Sequence, residues 1–174
     1  MDINQRIDLI ILAIKYCQQA KKYGMPPAAY SKALREPIHY LWERRNSKNK
    51  IKCARYRSKM AFSEGLKGAI YDHAIPFIYI QKKLLSIDLE SQNVDKNRDS
   101  VKNVLSNFCV AALITRSEDA ILNERGFKKS TPYELDNCRV MGSFQISPYE
   151  LLARYRECGI EIEENEGIYI ADSA

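Results

Sequence analysis

The stretch DINQRIDLIILAI, residues 2–14, decides the fold class because its apolar residues recur with the period of an α-helix. Five isoleucines carry this period: Ile3, Ile7, Ile10, Ile11 and Ile14. Asp2 precedes them and is a residue type that caps helix N-termini. Lys21 and Lys22 suit the negative C-terminal end of a helix, and Gly24 is a typical stop signal. The pattern predicts an N-terminal helix with one buried face.

Helical patterns continue along the chain. Residues 28–45 form a second helical region, in which Pro37 predicts either a kink or a new helix that begins there. A third helix is predicted over residues 52–63. A fourth is predicted over residues 77–85, with Pro76 just before its first turn.

Further helices are expected in the second half of the chain. One is marked by Val101, Val104, Leu105 and Phe108. Two more begin at capping boxes, in which a hydroxyl and a carboxylate satisfy free amides at a helix start. These boxes are Thr115 with Glu118, and Ser147 with Glu150.

Short strands complete the prediction. Residues 69–76 have turn or strand character, and the apolar run at 110–114 is either a buried strand or the tail of a helix. Alternating residues at 160–163 and 168–170 predict a C-terminal hairpin. We therefore expect an α+β fold, predominantly α-helical, in a single compact domain over residues 1–174.

The length and the charge distribution bound the function. A chain of 174 residues fits one domain, and its formal net charge is +5. Residues 1–90 hold 17 basic and 8 acidic residues, whereas residues 91–174 hold 10 and 14. This predicts a basic helical part, about 1–90, and a more acidic α+β part, about 91–174. A one-sided positive field attracts polyanions.

The segment from Arg44 to Lys59 is the strongest functional signal, because it contains eight basic residues and no acidic one. The predicted contacts are Arg44, Arg45, Lys48, Lys50, Lys52, Arg55, Tyr56, Arg57 and Lys59. On the predicted helix, Lys52, Arg55 and Lys59 share one face, which favours phosphate binding. We expect a nucleic-acid-binding protein, for DNA or RNA, although a solvated basic surface is the alternative. Without a recognised DNA-binding motif, sequence-specific reading is not predicted.

A second hypothesis comes from the segment Asp72-His73-Ala74-Ile75-Pro76. It resembles the first half of the HNH, or ββα-metal, nuclease motif, which often reads Asp-His-x-x-Pro after an apolar strand. The resemblance implies that His73 is a general base and that Asp72 holds a divalent metal ion, Mg²⁺ or Mn²⁺. The alternative is structural: Asp72 caps a turn and His73 is a hydrogen-bonded residue of the interior.

The only other histidine, His39, lies three residues after Glu36 and four before Glu43. Di-metal helical bundles require two Glu-x-x-His pairs, and this chain supplies one. We therefore expect His39 to be a partly buried helix residue that bonds a neighbouring carboxylate.

The acidic end of the chain supports a third hypothesis. Its acids are Glu157, Glu161, Glu163, Glu164, Glu166 and Asp172, and no basic residue follows Arg156. The acids either form a solvated strand edge, mask the basic segment, or dock a basic protein partner. An inhibitor or adaptor that acts through protein–protein interaction is therefore a further alternative, and whether the chain is an enzyme stays open.

The cysteines and the hydropathy indicate the compartment. Five scattered cysteines without a C-x-x-C pair argue against a disulfide framework and against a cysteine-based zinc site. Reduced thiols, several of them buried, are expected instead. No stretch approaches the length of a membrane span, and the N-terminus lacks a basic signal-peptide region. We therefore expect a cytoplasmic protein that does not bind membranes.

Overall fold

The computed structural model describes residues 1–89, 92–132 and 146–165, and it has the predominantly helical α+β fold that the sequence predicts. Its helices are α1 (Ile3–Lys22), α2 (Pro27–Pro37), α3 (Lys59–Ser63), α4 (Phe77–Leu85), α5 (Val94–Phe108), α6 (Arg116–Glu124), α7 (Pro148–Leu151) and α8 (Ala153–Glu157). A π-helical segment, Ile38–Glu43, continues α2, and one 3-10 turn spans Lys50–Cys53. Within the described ranges, no helix is long and apolar enough to cross a membrane.

Helix α1 forms as the isoleucine period predicts. Asp2 Oδ1 accepts a hydrogen bond from the Gln5 N–H at 2.9 Å, and the Gln5 side chain accepts one from the Asp2 N–H. Four of the isoleucines, at positions 7, 10, 11 and 14, are buried. The main hydrophobic core that they join extends to Ile160, so it contains residues from both halves of the chain.

A four-stranded sheet lies beside the helices. Its strands are β1 (Tyr56–Ser58), β2 (Ile70–His73), β3 (Ala111–Ile114) and β4 (Ile162–Glu164), in the order β2-β3-β1-β4. β1 is parallel to β3, whereas β2 pairs antiparallel with β3, and β4 antiparallel with β1. All four residues of β3 are buried, which is typical of a strand covered on both faces. The apolar run at 110–114 is therefore a strand.

The predicted helix over residues 52–63 is wrong in its first half. The 3-10 turn ends at Cys53, β1 follows, and only the last five residues are helical, as α3. Pairing between β1 and β3 overrides the local helical pattern, and Ser58 then caps α3 by accepting a hydrogen bond from the Ala61 N–H. As a consequence, Lys52, Arg55 and Lys59 do not share a helical face.

Pro37 stands at the end of α2, so it does not lie in the first turn of a new helix. It is the last residue of α2, its φ and ψ of −57° and −44° are helical, and the chain continues as a π-helical segment. A π-helix bonds each N–H five residues back, so it widens the turn after a residue that lacks an N–H. This turn places Ile38, Trp42 and Glu43 in the protein interior.

The remaining predictions concern the capped helices, the helix after Pro76 and the C-terminal hairpin. Both capping boxes form, at the starts of α6 and α7, and the predicted helix 77–85 is α4. The first strand of the predicted C-terminal hairpin is β4, and it pairs with β1. The second strand, residues 168–170, lies outside the described residues.

Candidate functional site

Both histidines of the chain contact the same carboxylate. His39 Nδ1 lies 2.9 Å from Glu43 Oε2, within the π-helical segment. His73 is the last residue of β2, and its Nε2 lies 2.5 Å from Glu43 Oε1. Glu43 and His73 are buried, and His39 is partly buried. This confirms that His39 bonds a neighbouring carboxylate, and it identifies Glu43 as the centre of the site.

Glu43 is ionised in spite of its burial. Burial alone raises the pKa of its carboxyl group, but the hydrogen bond and charge of His73, the hydrogen bond of His39 and the charge of Lys50 lower that pKa to about 2. The site therefore keeps a carboxylate in the interior at neutral pH, held by donors on both of its oxygens.

Cys109 completes the interior group. It caps the C-terminus of α5, and its Sγ donates to Glu43 Oε1 over 3.7 Å. Burial first, and the negative charge of Glu43 second, raise the pKa of the Cys109 thiol well above its usual range. The thiol is therefore neutral beside the carboxylate. We refer to Glu43, His39, His73 and Cys109 as the Glu43 cluster.

Two clefts reach the Glu43 cluster. The larger, the histidine cleft, has a volume of about 530 Å³. Its charged and histidine lining residues are Glu36, Glu43, His39, His73, Lys32, Arg35 and Lys50. The smaller, the cysteine cleft, has a volume of about 270 Å³, and Glu43 and Cys109 are among its lining residues. Glu43 therefore borders both clefts.

Cations gather at the histidine cleft. Burial lowers the pKa of Lys50, Glu43 opposes that shift, and the charges of Arg35 and Arg44 lower it further. Lys50 Nζ also lies 4.2 Å from the centre of the Tyr71 ring. Lys50 is thus within electrostatic reach of two other cations.

The structure does not bring the Asp72 carboxylate and the His73 imidazole together. Tyr155 donates its hydroxyl to Asp72 Oδ2 at 2.7 Å, and the guanidinium of Arg154 donates to the same oxygen. Arg154 is 1% exposed and also donates to the His73 and Phe127 carbonyls, at 2.6 and 2.7 Å. Asp72 therefore neutralises a buried arginine that ties β2 to α8, while His73 bonds Glu43.

The structure divides the predicted nucleic-acid contacts into two groups. In the first, cations on and beside β1 meet acids on and beside β4. Arg57 Nε lies 2.9 Å from Glu163 Oε1, and Lys59 Nζ lies 2.5 Å from Glu161 Oε2. Arg55 likewise lies 3.4 Å from Glu164, and Tyr56 is buried in the main core.

The second group precedes β1. Arg44 and Arg45 lie over the rings of Tyr40 and Trp42, Lys50 lines the histidine cleft, and Lys48 and Lys52 are exposed. Arg44 also donates to the Lys48 carbonyl. These five residues thus lie on the part of the chain that connects the π-helical segment to the sheet.

Sequence reasoning missed the central role of Glu43. Its one local signal is an acid four residues after His39, at the end of an apolar stretch. Nothing local links it to His73 or Cys109, which are 30 and 66 positions away. Arg154 was missed as well, because a buried arginine is rare and its partners lie on another element.

The thiols of Cys17, Cys53, Cys109 and Cys158 are free, and three of the four are buried; Cys138 lies outside the described residues. Comparison with models of protein families, with curated proteins and with solved structures found no match for this chain.

Proposed function

We propose that this chain is a nucleic-acid-binding protein that holds backbone phosphates at the histidine cleft. The observation that carries the proposal is a group of four cations: Lys32, Arg35 and Lys50 line this cleft, and Arg44 lies within electrostatic reach of Lys50. We call these four residues the cationic rim. Within the described ranges, none of the four forms an ion pair with an acid.

Electrostatics favour a polyanion at the rim. Cations held close together repel one another, and a bound phosphate relieves that repulsion. Arginine adds a planar, bidentate grip on phosphate oxygens. Glu36 and Glu43 also line this cleft, and the four rim cations outnumber these two acids, so the positive charge is in excess.

The cations of β1 are assigned a lesser role in this proposal. Arg57 and Lys59 already pair with Glu163 and Glu161, so a phosphate must displace those acids. Lys48 and Lys52, which are exposed, extend the rim along the chain. The binding surface is therefore centred before β1, whereas the sequence had centred it on residues 44–59 as a whole.

Binding is tested by fluorescence anisotropy with duplex DNA, single-stranded DNA and RNA over a range of salt concentrations. The rim variant carries Lys32→Gln, Arg35→Gln and Lys50→Gln. Its matched control carries Lys15→Gln, Lys21→Gln and Lys22→Gln, which removes the same charge from exposed lysines of α1.

We expect the rim variant to bind at least about tenfold more weakly, and the slope of log K against log salt to fall by about 2 to 3. The control should retain most of its affinity. Equal losses in both variants, or no binding by wild-type protein at low salt, would contradict the proposal. Binding of a protein but of no nucleic acid would favour the inhibitor or adaptor alternative.

A second candidate function is phosphodiester cleavage by a metal-dependent nuclease. The observation that favours it is the position of His39, His73 and Glu43 on the wall of the same cleft. His73 is the candidate general base, as the HNH resemblance implies, and its partner Glu43 orients the ring. Asp72, the metal ligand that the resemblance implies, contacts Arg154 and Tyr155 in this structure.

Incubation of each nucleic acid with Mg²⁺ or Mn²⁺ tests this candidate. Metal-dependent fragments that disappear in His73→Ala but persist in His39→Gln would support His73 as the base. Wild-type protein that binds and never cleaves would reject the nuclease.

We also assign the protein to the cytoplasm, a reducing compartment that suits free thiols.

A further inference from the structure

Three chemically different ligand types meet in the interior of this protein. One oxygen of Glu43, one nitrogen of His73 and the sulfur of Cys109 all lie within 4.8 Å of one another. All three residues are buried, and they come from the π-helical segment, β2 and the end of α5. A carboxylate, an imidazole and a thiol in one buried group form a donor set that proteins use for transition metals.

We propose that Glu43, His73 and Cys109 bind one divalent transition-metal ion, for which Zn²⁺ is the best match. A thiolate selects softer ions over Mg²⁺ and Mn²⁺, and His nitrogen with Glu oxygen completes a common zinc ligand set. This site differs from the one that the HNH resemblance implies in its ligands and in its metal. It does not rest on nucleic-acid binding.

The separations are compatible with one ion. Ligands about 2.0 to 2.3 Å from a tetrahedral zinc ion stand roughly 3.3 to 3.7 Å from each other. Cys109 Sγ is already 3.7 Å from Glu43 Oε1. His73 Nε2 is 2.5 Å from the same oxygen, so that contact must open by roughly 1 Å, which a small rotation of the Glu43 side chain provides.

The protons balance on binding. In the free protein a proton lies in the hydrogen bond between His73 and Glu43, and another is on the Cys109 thiol. The thiol proton leaves to solvent, and the ring proton of His73 moves from Nε2 to Nδ1, which frees the Nε2 lone pair for the metal. The Glu43 carboxylate and the Cys109 thiolate then supply two negative charges for the divalent ion, so the buried site is neutral overall.

The surroundings support the ligands. His39 bonds the second oxygen of Glu43 at 2.9 Å, which fixes the carboxylate as outer-shell partners do in metal sites. Glu43 and His73 line the histidine cleft, and Cys109 lines the cysteine cleft, so an ion has a path from solvent. Three protein ligands leave a position for water or substrate, as in catalytic zinc sites.

The test uses Co²⁺, which replaces Zn²⁺ and reports its ligands in the absorption spectrum. Reduced wild-type protein is equilibrated with micromolar Co²⁺ in the absence of nucleic acid, and the bound metal is measured by mass spectrometry. We expect about one ion per chain, with a thiolate-to-cobalt charge-transfer band that added Zn²⁺ abolishes.

Two variants show which cysteine gives the charge-transfer band. Cys109→Ser should lose it, whereas Cys17→Ser should keep it. Cys17 is a matched control because it is also buried and its thiol donates to the Tyr30 carbonyl, a bond that a serine retains. If Cys109→Ser does not fold, X-ray absorption of the zinc-loaded wild type decides instead: one sulfur ligand is expected, with nitrogen and oxygen ligands for the rest.

Three results would overturn the proposal: no Co²⁺ retained by folded wild-type protein, bound Co²⁺ without a sulfur ligand, or an unchanged band in Cys109→Ser. None of them bears on the cationic rim, because the salt dependence of nucleic-acid binding is measured with a chelator present. Conversely, loss of nucleic-acid binding in the rim variant leaves the cobalt spectrum unchanged. The two proposals therefore fail separately.

Discussion

His73 Nε2 lies 2.5 Å from Glu43 Oε1, although the two residues are 30 positions apart in the chain. The contact joins the π-helical segment to the end of β2, and it holds a charge in the interior that would otherwise be costly to bury. It therefore has consequences for stability that are separate from any activity.

Glu43→Gln should lower the free energy of unfolding by about 3 kcal/mol, measured by urea denaturation with a chelator present. The reason is that the variant removes a buried charge that His39 and His73 share, and the glutamine amide offers one acceptor oxygen where the carboxylate offered two. Glu36→Gln is the control, because Glu36 is exposed on α2, and its effect should stay within about 0.5 kcal/mol. Equal effects of the two substitutions would mean that the buried contact contributes nothing.

Arg154→Met should destabilise the protein by about 3 to 5 kcal/mol, because it removes the cation that pairs with Asp72, which keeps only the Tyr155 hydroxyl of its two donors, and it removes the donor to two backbone carbonyls. The stability of Arg154→Lys should lie between that of Arg154→Met and that of wild type, since lysine keeps the charge but not the planar guanidinium group. Arg156→Met, an exposed arginine two residues later, should cost about 1 kcal/mol or less. Thermal melting of the three variants checks the order, and an Arg154→Met protein as stable as wild type would refute the assigned role.

The elements that the sequence predicts well are those with strong local signals. The isoleucine period with Asp2 predicts α1, and the Thr115 and Ser147 capping boxes predict the starts of α6 and α7. In each of these cases the chemistry that begins a helix lies within four residues, so neighbouring sequence is sufficient.

The failures lie where distant parts of the chain meet. Residues 56–58 lie in a stretch where Lys52, Arg55 and Lys59 have helical spacing. Only pairing with β3 makes residues 56–58 a strand. The Glu43 cluster is a similar case, since its members come from positions 39 to 109 and only His39 and Glu43 are related by local spacing. The histidines were singled out from the sequence, but their common partner required the fold.

The pair of Asp8 and Arg98 predicts a pH dependence. Arg98 Nε and Nη2 lie 2.8 and 2.7 Å from the two Asp8 oxygens, tying α1 to α5, and this hydrogen bonding lowers the pKa of Asp8 below its ordinary value of 3.8. A lowered carboxyl pKa stabilises the fold above pH 3.8, and the contribution disappears as the pH falls through the folded-state pKa.

Asp8→Asn should therefore be slightly less stable than wild type at neutral pH, and the difference should vanish in strong acid. The effect is small because the pair is partly exposed to solvent. Urea denaturation at neutral pH and in strong acid measures the difference in stability. Asp99→Asn, at an exposed position, is the control. A difference that stays constant down to strong acid would show that Asp8 acts through packing and not through its charge.

The acids of β4 predict an increase in nucleic-acid affinity when they are removed. Glu163 and Glu161 pair with Arg57 and Lys59, so they compete with phosphates for these cations. The double variant Glu161→Gln with Glu163→Gln should bind nucleic acid several-fold more tightly, and the slope of log K against log salt should steepen by up to about 2. Stability should change little, because the Lys59–Glu161 pair is exposed and the Arg57–Glu163 pair is partly exposed, and such pairs contribute little.

Asp99→Asn with Glu124→Gln is the matched control for the β4 acids, since it adds the same net charge at exposed positions on α5 and α6. A general charge effect would raise affinity equally in both double variants. A gain confined to the β4 variant would instead show local competition, in which the acidic strand tunes access to the basic one. Unchanged affinity in the β4 variant, with the rim variant still defective, would restrict phosphate contact to the histidine cleft and exclude β1.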